Sequence, residues 1–332
     1  MADGVKPRLT LAISEYDHVR DLVAGDVVVE GVDLVCLRLP VEEIFFRFTV
    51  FREWDVSELS LAKYTNLRAA GDDSLVAVPV FPSRSFRQSA IWIRADGPVD
   101  DPGALAGARI GVPEWTQTAT VYARGALAEV HGIDLRGVDW VQGGTNEPGR
   151  VEPVALTLPE GIALRVAADR SLNDMLVEGD LDAVIAAHPP AAATDGSGRL
   201  VRLFTDYRAV EEDYLASTGV FPIMHVLVLK RAIYDEHRWV AMNLVRAFEE
   251  AKRRALARAF DANAPAFPIP WAFANAERAQ ALVGDDPWPY GLDANRATLS
   301  TFLRYAYEQG ACARLLEPEE LFVPEALQRF RI

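Results

Sequence analysis

Cysteine is scarce in this 332-residue chain, with Cys36 and Cys312 the only two. They lie far apart in apolar or small-residue surroundings, which predicts two buried thiols rather than a disulfide or a thiolate metal site. Positive charge is also in short supply: 34 Lys+Arg stand against 48 Asp+Glu, a formal net charge of −14. A nucleic-acid surface needs a basic face, and this balance argues against one. No apolar run approaches a membrane span. The start, MADGVKPRLTLAISEYDH, has no apolar signal-peptide core and no small-residue cleavage site. A soluble, cytoplasmic protein with neither membrane nor nucleic-acid partners is expected. A GxGxxG fingerprint and a Walker lysine are both missing, which disfavours a nucleotide. An anionic ligand must then be held by local arginines or helix termini, against the field of the whole chain.

What is present is hydrophobic material, 50% of residues, in short strands and longer amphipathic stretches. Strands are predicted at Leu9–Ile13, Ser57–Leu61, Leu75–Val80 and Ile91–Arg94, with a hairpin-like pair Val27–Val29 and Val32–Leu37 around Glu30-Gly31. Val41–Phe51 reads as a helix. A second region repeats this grammar. Arg109–Val112 is a strand, Thr118–His131 a helix, Val138–Val141 a strand, Leu172–Val177 a helix and Leu181–Ala186 a strand. Phe221–Lys230 (FPIMHVLVLK) is a long apolar strand, followed by helices at Asp235–Ala259, Glu277–Val283 and Arg296–Gln309.

Strands alternating with helices indicate α/β units with mainly parallel sheets. Two such units joined by two extended connections, near Arg87–Arg94 and Phe221–Lys230, suggest a two-lobed fold of the periplasmic-binding-protein type (type II), with two crossover strands and a helical C-terminal segment. Lobe one takes residues 1–92 and 223–332, and lobe two takes 93–222. Ligands in such a fold bind between the lobes, at the carboxyl ends of strands. The polar stretches to inspect are therefore Tyr16–His18, Lys63–Tyr64, Ser83–Arg87, Trp115–Thr118, Gly143–Arg150, His188 and His225.

Arg109–Leu127 is the most informative segment. A strand feeds a helix through a polar turn at Trp115, Thr116, Gln117 and Thr118, whose hydroxyls and unpaired N–H groups suit a small carboxylate. An ordinary capped helix is the competing reading. His225 interrupts an apolar strand and is either a satisfied core histidine or a tuned proton-transfer group. His18 stands beside Asp17 at a strand end, and His188 precedes Pro189-Pro190 at another. Lys63 and Tyr64 suit a phenolate or carboxylate, or else a snorkelling lysine and a packing tyrosine. Trp271, Trp288 and Tyr290 are read as packing aromatics. A divalent metal held by the three histidines with Asp17 or Glu15 stays open, although no HExxH or CxxC spacing supports it.

These stretches resemble the 4,5-dihydroxyphthalate decarboxylase family. The similarity runs through FPSRSFRQSAIWIR (Phe81–Arg94), GVPEWTQTATVYARGAL (Gly111–Leu127), QGGTNEPGRVE (Gln142–Glu152) and GDLDAVIAAHPP (Gly179–Pro190). It continues in TGVFPIMHVLVLKR (Thr218–Arg231), DDPWPYGLDANR (Asp285–Arg296), YEQG (Tyr307–Gly310) and PEELF (Pro318–Phe322). Gln88 departs from the family pattern, which has His there, so the resemblance implies reaction type more than substrate. It implies a binding-protein-fold enzyme that removes one carboxylate from a dihydroxylated phthalate, giving protocatechuate.

Chemistry then suggests roles. Each carboxylate of 4,5-dihydroxyphthalate is para to a hydroxyl, so the phenol can push electrons onto the carboxyl-bearing carbon. That route needs a base, an acid and cations, and no organic cofactor. Arg84 and Arg87 are the expected carboxylate clamps, reaching one cleft only if Ser83–Arg87 is a turn or hinge. Arg150 is a third candidate. His225 or His18 moves the proton, and Tyr16, Lys63, Tyr64, Ser83, Trp115, Thr116, Gln117, Thr118 and His188 complete the substrate site. A non-catalytic binding protein for a small aromatic carboxylate is the alternative. The helical tail and the resemblance favour a homo-oligomer.

Overall fold

The computed structural model describes residues 6–152, 154 and 156–327. The chain begins with β1 (Arg8–Ile13), α1 (Arg20–Ala24), β2 (Asp33–Arg38), α2 (Val41–Phe51), β3 (Val56–Ser60), α3 (Leu61–Ala69) and β4 (Leu75–Val78). It continues through β5 (Ile91–Arg94), β6 (Arg109–Val112), α4 (Thr118–His131), β7 (Asp139–Gln142), β8 (Ala163–Val166), α5 (Leu172–Glu178), β9 (Ala183–Ile185), β10 (Leu200–Arg202) and α6 (Tyr207–Thr218). It ends with β11 (His225–Lys230), α7 (Arg231–Glu236), α8 (Trp239–Ala259), α9 (Ala272–Val283) and α10 (Arg296–Glu308).

Two sheets result. The first has the order β2-β1-β3-β11-β4, and the second β10-β5-β9-β6-β7-β8. Neighbours run parallel except where the chain changes sheets: β11 is antiparallel to β3 and β4, and β5 is antiparallel to β9 and β10. The chain thus crosses after β4 and returns before β11. The architecture is the expected two-lobed, periplasmic-binding-protein-like α/β fold. The sequence boundary between residues 92 and 93 falls inside β5, which pairs only within the second sheet.

Mainly parallel sheets must be covered on both faces. In the second sheet Ile91, Ile93, Ile110, Ala183 and Ile185 pack with Trp140 and Leu127 on one side. Trp92, Val184 and Val141 pack with Leu172 and Leu176 on the other. This is the period-two alternation of a strand buried on both faces. The first sheet packs with Leu244 and Phe248 of α8 and with Phe302 of α10. In α2, Ile44 and Phe48 face that core one turn apart, and Glu42 and Glu43 sit in the first turn, where the helix dipole favours them.

Several sequence expectations need correction. Val27–Val29 forms no strand. Val27 and Val29 are buried and Val28 is exposed, which mimics strand alternation. Gly31, at φ 77°, turns the chain into β2, whose partner is β1 in parallel rather than a hairpin mate. The predicted strand from Phe221 is ordered as a strand only from His225, because Pro222 has no N–H to give a ladder. The Asp235–Ala259 helix is two helices with a break at His237-Arg238. The strands β8 and β10 were not predicted, being short edge strands with largely exposed residues. Nor was α6, whose only buried residue is Tyr214. Among the described residues, no helix is long and apolar enough to cross a membrane.

Candidate functional site

The strand β3 is entirely buried although its sequence is V-S-E-L-S. Flanked by β1 and β11, it has no wet face, so each polar side chain must find a partner. Glu58 is 0% exposed and finds three. Its Oε1 accepts from Tyr16 Oη at 2.5 Å and from His225 Nδ1 at 2.5 Å, and its Oε2 accepts from the Ser14 N–H at 3.0 Å. In the β3–β11 register His225 faces Ser60, two residues along the same face from Glu58. Tyr16 follows the carboxyl end of β1, so the group assembles where three first-sheet strands meet the crossovers.

This geometry sets protonation. A carboxylate only accepts, so Nδ1 of His225 carries a proton and Nε2 is its remaining exchangeable position. Phe45 presses edge-on against the imidazole at 4.8 Å between centroids. Burial, reinforced by the charge of Glu58, raises the Tyr16 phenol above its ordinary range, so it stays a donor. Ser83 contributes a side-chain hydrogen bond to Tyr16, and its carbonyl accepts from the Met224 N–H at 2.8 Å.

A second charged group lies beyond Phe45. Lys63 Nζ, 5.8 Å from the Phe45 centroid, is 3.3 Å from Glu114 Oε2. Arg150 contacts Glu114 Oε1 through Nη2 at 2.5 Å and Nε at 2.8 Å. Two cations on one carboxylate leave a positive charge over. Lys63 belongs to α3 and Glu114 to the turn after β6, so the pair joins the parts built on the two sheets. Thr118 joins them too: its hydroxyl is 2.9 Å from Ser60 Oγ and accepts from the Ala62 N–H at 3.0 Å.

Arg87 is the remaining cation of interest. Its Nε lies 3.1 Å from Sδ of Met224, the residue before His225. Burial pulls the guanidinium down to about 10 against the opposing charge of Glu211, and among the described residues no carboxylate makes a salt bridge with it. A half-buried cation with no direct ion pair is ready to bind an anion.

Other expected site residues go elsewhere. Arg84 is clasped by the Phe221 carbonyl at 2.9 Å, the Pro289 carbonyl at 2.6 Å and Asn295 Oδ1, away from the Glu58 group. Ser83–Arg87 is not a strand, as both arginines reaching one cleft would require, yet Arg84 and Arg87 take different partners. Tyr64 is a core residue whose hydroxyl donates to the Leu321 carbonyl at 2.5 Å. Trp115 is also core, giving Nε1–H to the Gln309 carbonyl at 2.7 Å with Arg124 stacked 3.7 Å from its centroid. Thr116 directs its N–H and hydroxyl to Glu152, so the predicted carboxylate cradle holds a carboxylate of the chain itself. Burial raises the Glu152 carboxyl. Gln117 caps α4 and keeps a buried Oε1 without a protein partner. His188 is exposed, 2.8 Å from Glu42 Oε1 at the start of α2.

His18 is near the site but is not suited to be its acid. Its ring lies between Tyr16 (5.3 Å) and Trp288 (5.1 Å), and burial pulls it down to about 4, so it is neutral near pH 7. Asp17 pairs with Arg20 and Glu15 with Arg38. Among the described residues no three His, Cys, Asp or Glu side chains converge as metal ligands. Trp271 is 78% exposed, while Tyr290 is buried under Lys252.

Glu58 is the residue that sequence reading missed. Its signal is a charged residue inside a strand, on the face opposite Ser57 and Leu59 and shared with Val56 and Ser60.

No family model matches the chain. A 4,5-dihydroxyphthalate decarboxylase of Comamonas testosteroni is 38% identical over 328 residues, covering 98% of this chain and 99% of the relative. One of Pseudomonas putida is 40% identical over 210 residues, 63% of this chain and 81% of the relative. Among solved structures, the periplasmic aliphatic sulphonate binding protein SsuA of Escherichia coli aligns with a TM-score of 0.54 at 12% identity, over 96% of this chain and 98% of that one. The desulfurization enzyme DSZB aligns with a TM-score of 0.55 at 14% identity, over 97% of both. These structures share the fold, and the near full-length sequence match carries the kinship: the chain belongs to the 4,5-dihydroxyphthalate decarboxylase family.

Proposed function

We propose that this protein is a carboxy-lyase that converts 4,5-dihydroxyphthalate to protocatechuate and carbon dioxide by protonating the ring carbon that loses its carboxylate. The family supports the decarboxylase activity. The observation that carries the mechanism is the 2.5 Å contact between His225 Nδ1 and the fully buried Glu58. It fixes a proton on Nδ1 and leaves Nε2 as the position that exchanges a proton with the substrate, in a site shielded by Phe45 and Tyr16.

The substrate phenol gives its proton to solvent, to be recovered once the ring is aromatic again, and its electrons move through the ring to the para carbon. His225 Nε2 delivers a proton to that carbon, which becomes tetrahedral. The C–C bond to the carboxylate breaks, its electron pair restores aromaticity, and carbon dioxide leaves. A proton has replaced carbon dioxide, with no redox change and no organic cofactor. Arg87 holds a carboxylate through paired N–H donors. Lys63, with the surplus positive charge it shares with Arg150, stabilises the phenolate. The same reading places the protein in the cytoplasm, acting on a small aromatic acid as a homo-oligomer, without membrane or nucleic-acid partners.

Incubation with 4,5-dihydroxyphthalate in deuterium oxide tests it. The expected result is carbon dioxide with protocatechuate bearing one deuterium at the vacated carbon. Binding without carbon dioxide release would instead make the protein a receptor for aromatic carboxylates. Activity that survives exhaustive chelation is expected, since no metal enters the scheme.

A further inference from the structure

Two adjoining cavities of about 390 and 550 Å³ lie between α6, α9 and the segment leading into α10, and they share Leu215, Phe221, Leu282 and Val283. None of Tyr16, Glu58, His225 or Lys63 lines either one. We propose that together they form a second ligand site, for a small aromatic carboxylate held by Arg84.

The two ends differ in chemistry. The smaller cavity is lined by Phe86, Phe221, Trp288, Leu256 and Ala279, and also by Glu211 and by Glu212, which Arg208 pairs. Phe86 and Phe221 stack at 5.0 Å, and Trp288 meets Phe221 edge-on at 5.6 Å, which gives an aromatic wall with two ring orientations. Such a wall suits an aromatic ring. The larger cavity is lined by Arg84, Asp286, Asn295 and Thr298.

Arg84 supplies the second, independent reason to expect a ligand. It is 6% exposed, and its Nε is buried with no hydrogen-bond partner. The acceptors it does have, two carbonyls and the Asn295 amide oxygen, carry no charge. Asp286, the one carboxylate lining the larger cavity, is bound at 2.5 Å to Lys252, which Glu249 also contacts at 2.9 Å. The guanidinium thus has only neutral hydrogen-bond acceptors, with Asp286 acting on it at a distance, and a ligand carboxylate in the adjoining space would give it a directly bonded charged one. Apolar space at one end and a cation at the other match a molecule with a ring and one carboxylate.

Calorimetric titration of the full chain with benzoate tests this, and it reads binding independently of turnover. Val283→Trp fills the shared wall without touching the hydrogen bonds of Arg84. Wild-type protein is expected to show a benzoate-binding component that Val283→Trp removes, while carbon dioxide release from 4,5-dihydroxyphthalate stays at the wild-type rate. Ala279→Phe gives the same readout should Val283→Trp fail to fold. Arg84→Gln, folded as judged by its melting temperature, is expected to weaken that component at least tenfold, and benzyl alcohol is expected not to produce it. A benzoate titration unchanged by the filling variants overturns the proposal, as does equal binding of benzyl alcohol. Failure of the decarboxylase reading would show in carbon dioxide release and leave this titration intact.

Discussion

Glu58 and His225 meet at 2.5 Å although 167 residues separate them in the chain. The contact exists because β11 returns to the first sheet antiparallel to β3, placing His225 opposite Ser60. A buried carboxylate that orients an imidazole is a positioning device, since it selects the tautomer and stabilises the cation. His225→Asn should lower kcat by ~10²–10⁴, the usual worth of a positioned acid or base. Glu58→Gln should also lower kcat while leaving KM within a few-fold. Histidine ¹⁵N spectra check the cause: the Nδ1–H signal of His225 present in the wild type should be lost or shifted in Glu58→Gln. A Glu58→Gln enzyme with wild-type kcat would remove Glu58 from the mechanism.

Arg87 makes a different prediction. Among the described residues its guanidinium bonds only Met224 Sδ, a weak acceptor, so a substrate carboxylate gains nearly its full donor set. A hydrogen bond to a charged group contributes ~1.5–3 kcal/mol. Arg87→Ala should therefore raise KM by roughly ten- to a hundredfold, with a smaller change in kcat. Steady-state kinetics would separate the two. Arg87→Lys should recover only part of the loss, because an ammonium cannot form the parallel pair of bonds.

How much of this was legible beforehand depended on the kind of signal. The strand Arg109–Val112 and the helices Val41–Phe51 and Thr118–His131 were placed to the residue, because each pairs an apolar run with a sharp end. His225 stood out as a polar break in an apolar strand. Partners were harder. Arg84 and Arg87 looked equivalent as text, and only the surrounding carbonyls show that one is clasped and the other open. Thr116 and Thr118 were read as anion donors from their place at a helix start, but Glu152 and Ser60, 36 and 58 residues away, take those hydroxyls. Glu58 was passed over because a strand assignment explains a residue's backbone and says nothing of what a buried charge will touch.

His18 ties stability to pH. Burial lowers its folded-state value to about 4 from an ordinary 6.5. The unfolded chain therefore binds the proton more readily, and His18 opposes folding as pH falls from about 6.5 to about 4. The contribution is fully present above pH 6.5 and spent below pH 4, with a ceiling of roughly 3 kcal/mol. Urea midpoints measured across that window should fall with acid in the wild type, and the fall should be shallower in His18→Gln. Parallel curves for the two proteins would show that His18 is not the group responsible.

Gly125 lies mid-helix in α4, where glycine costs helix stability and needs a compensating reason. The reason is Tyr305 of α10: a Cβ on residue 125 would run into the ring, not into a movable chain end. Tyr305 is itself fixed, buried and hydrogen-bonded through its hydroxyl to Glu129. Glycine thus lets α4 and α10 approach closely, and through α4 it sets where Thr118 meets Ser60. Gly125→Ala gains helix propensity of about 1 kcal/mol but must push the ring or the helix aside, an overpacking cost of ~1–3 kcal/mol. The net effect should be a lower melting temperature. Replacing the ring as well, in Gly125→Ala with Tyr305→Leu, should restore part of the loss, a coupling that a double-mutant cycle measures directly. If Gly125→Ala alone raises the melting temperature, propensity outweighs the clash and the two helices are less tightly apposed than their contact implies.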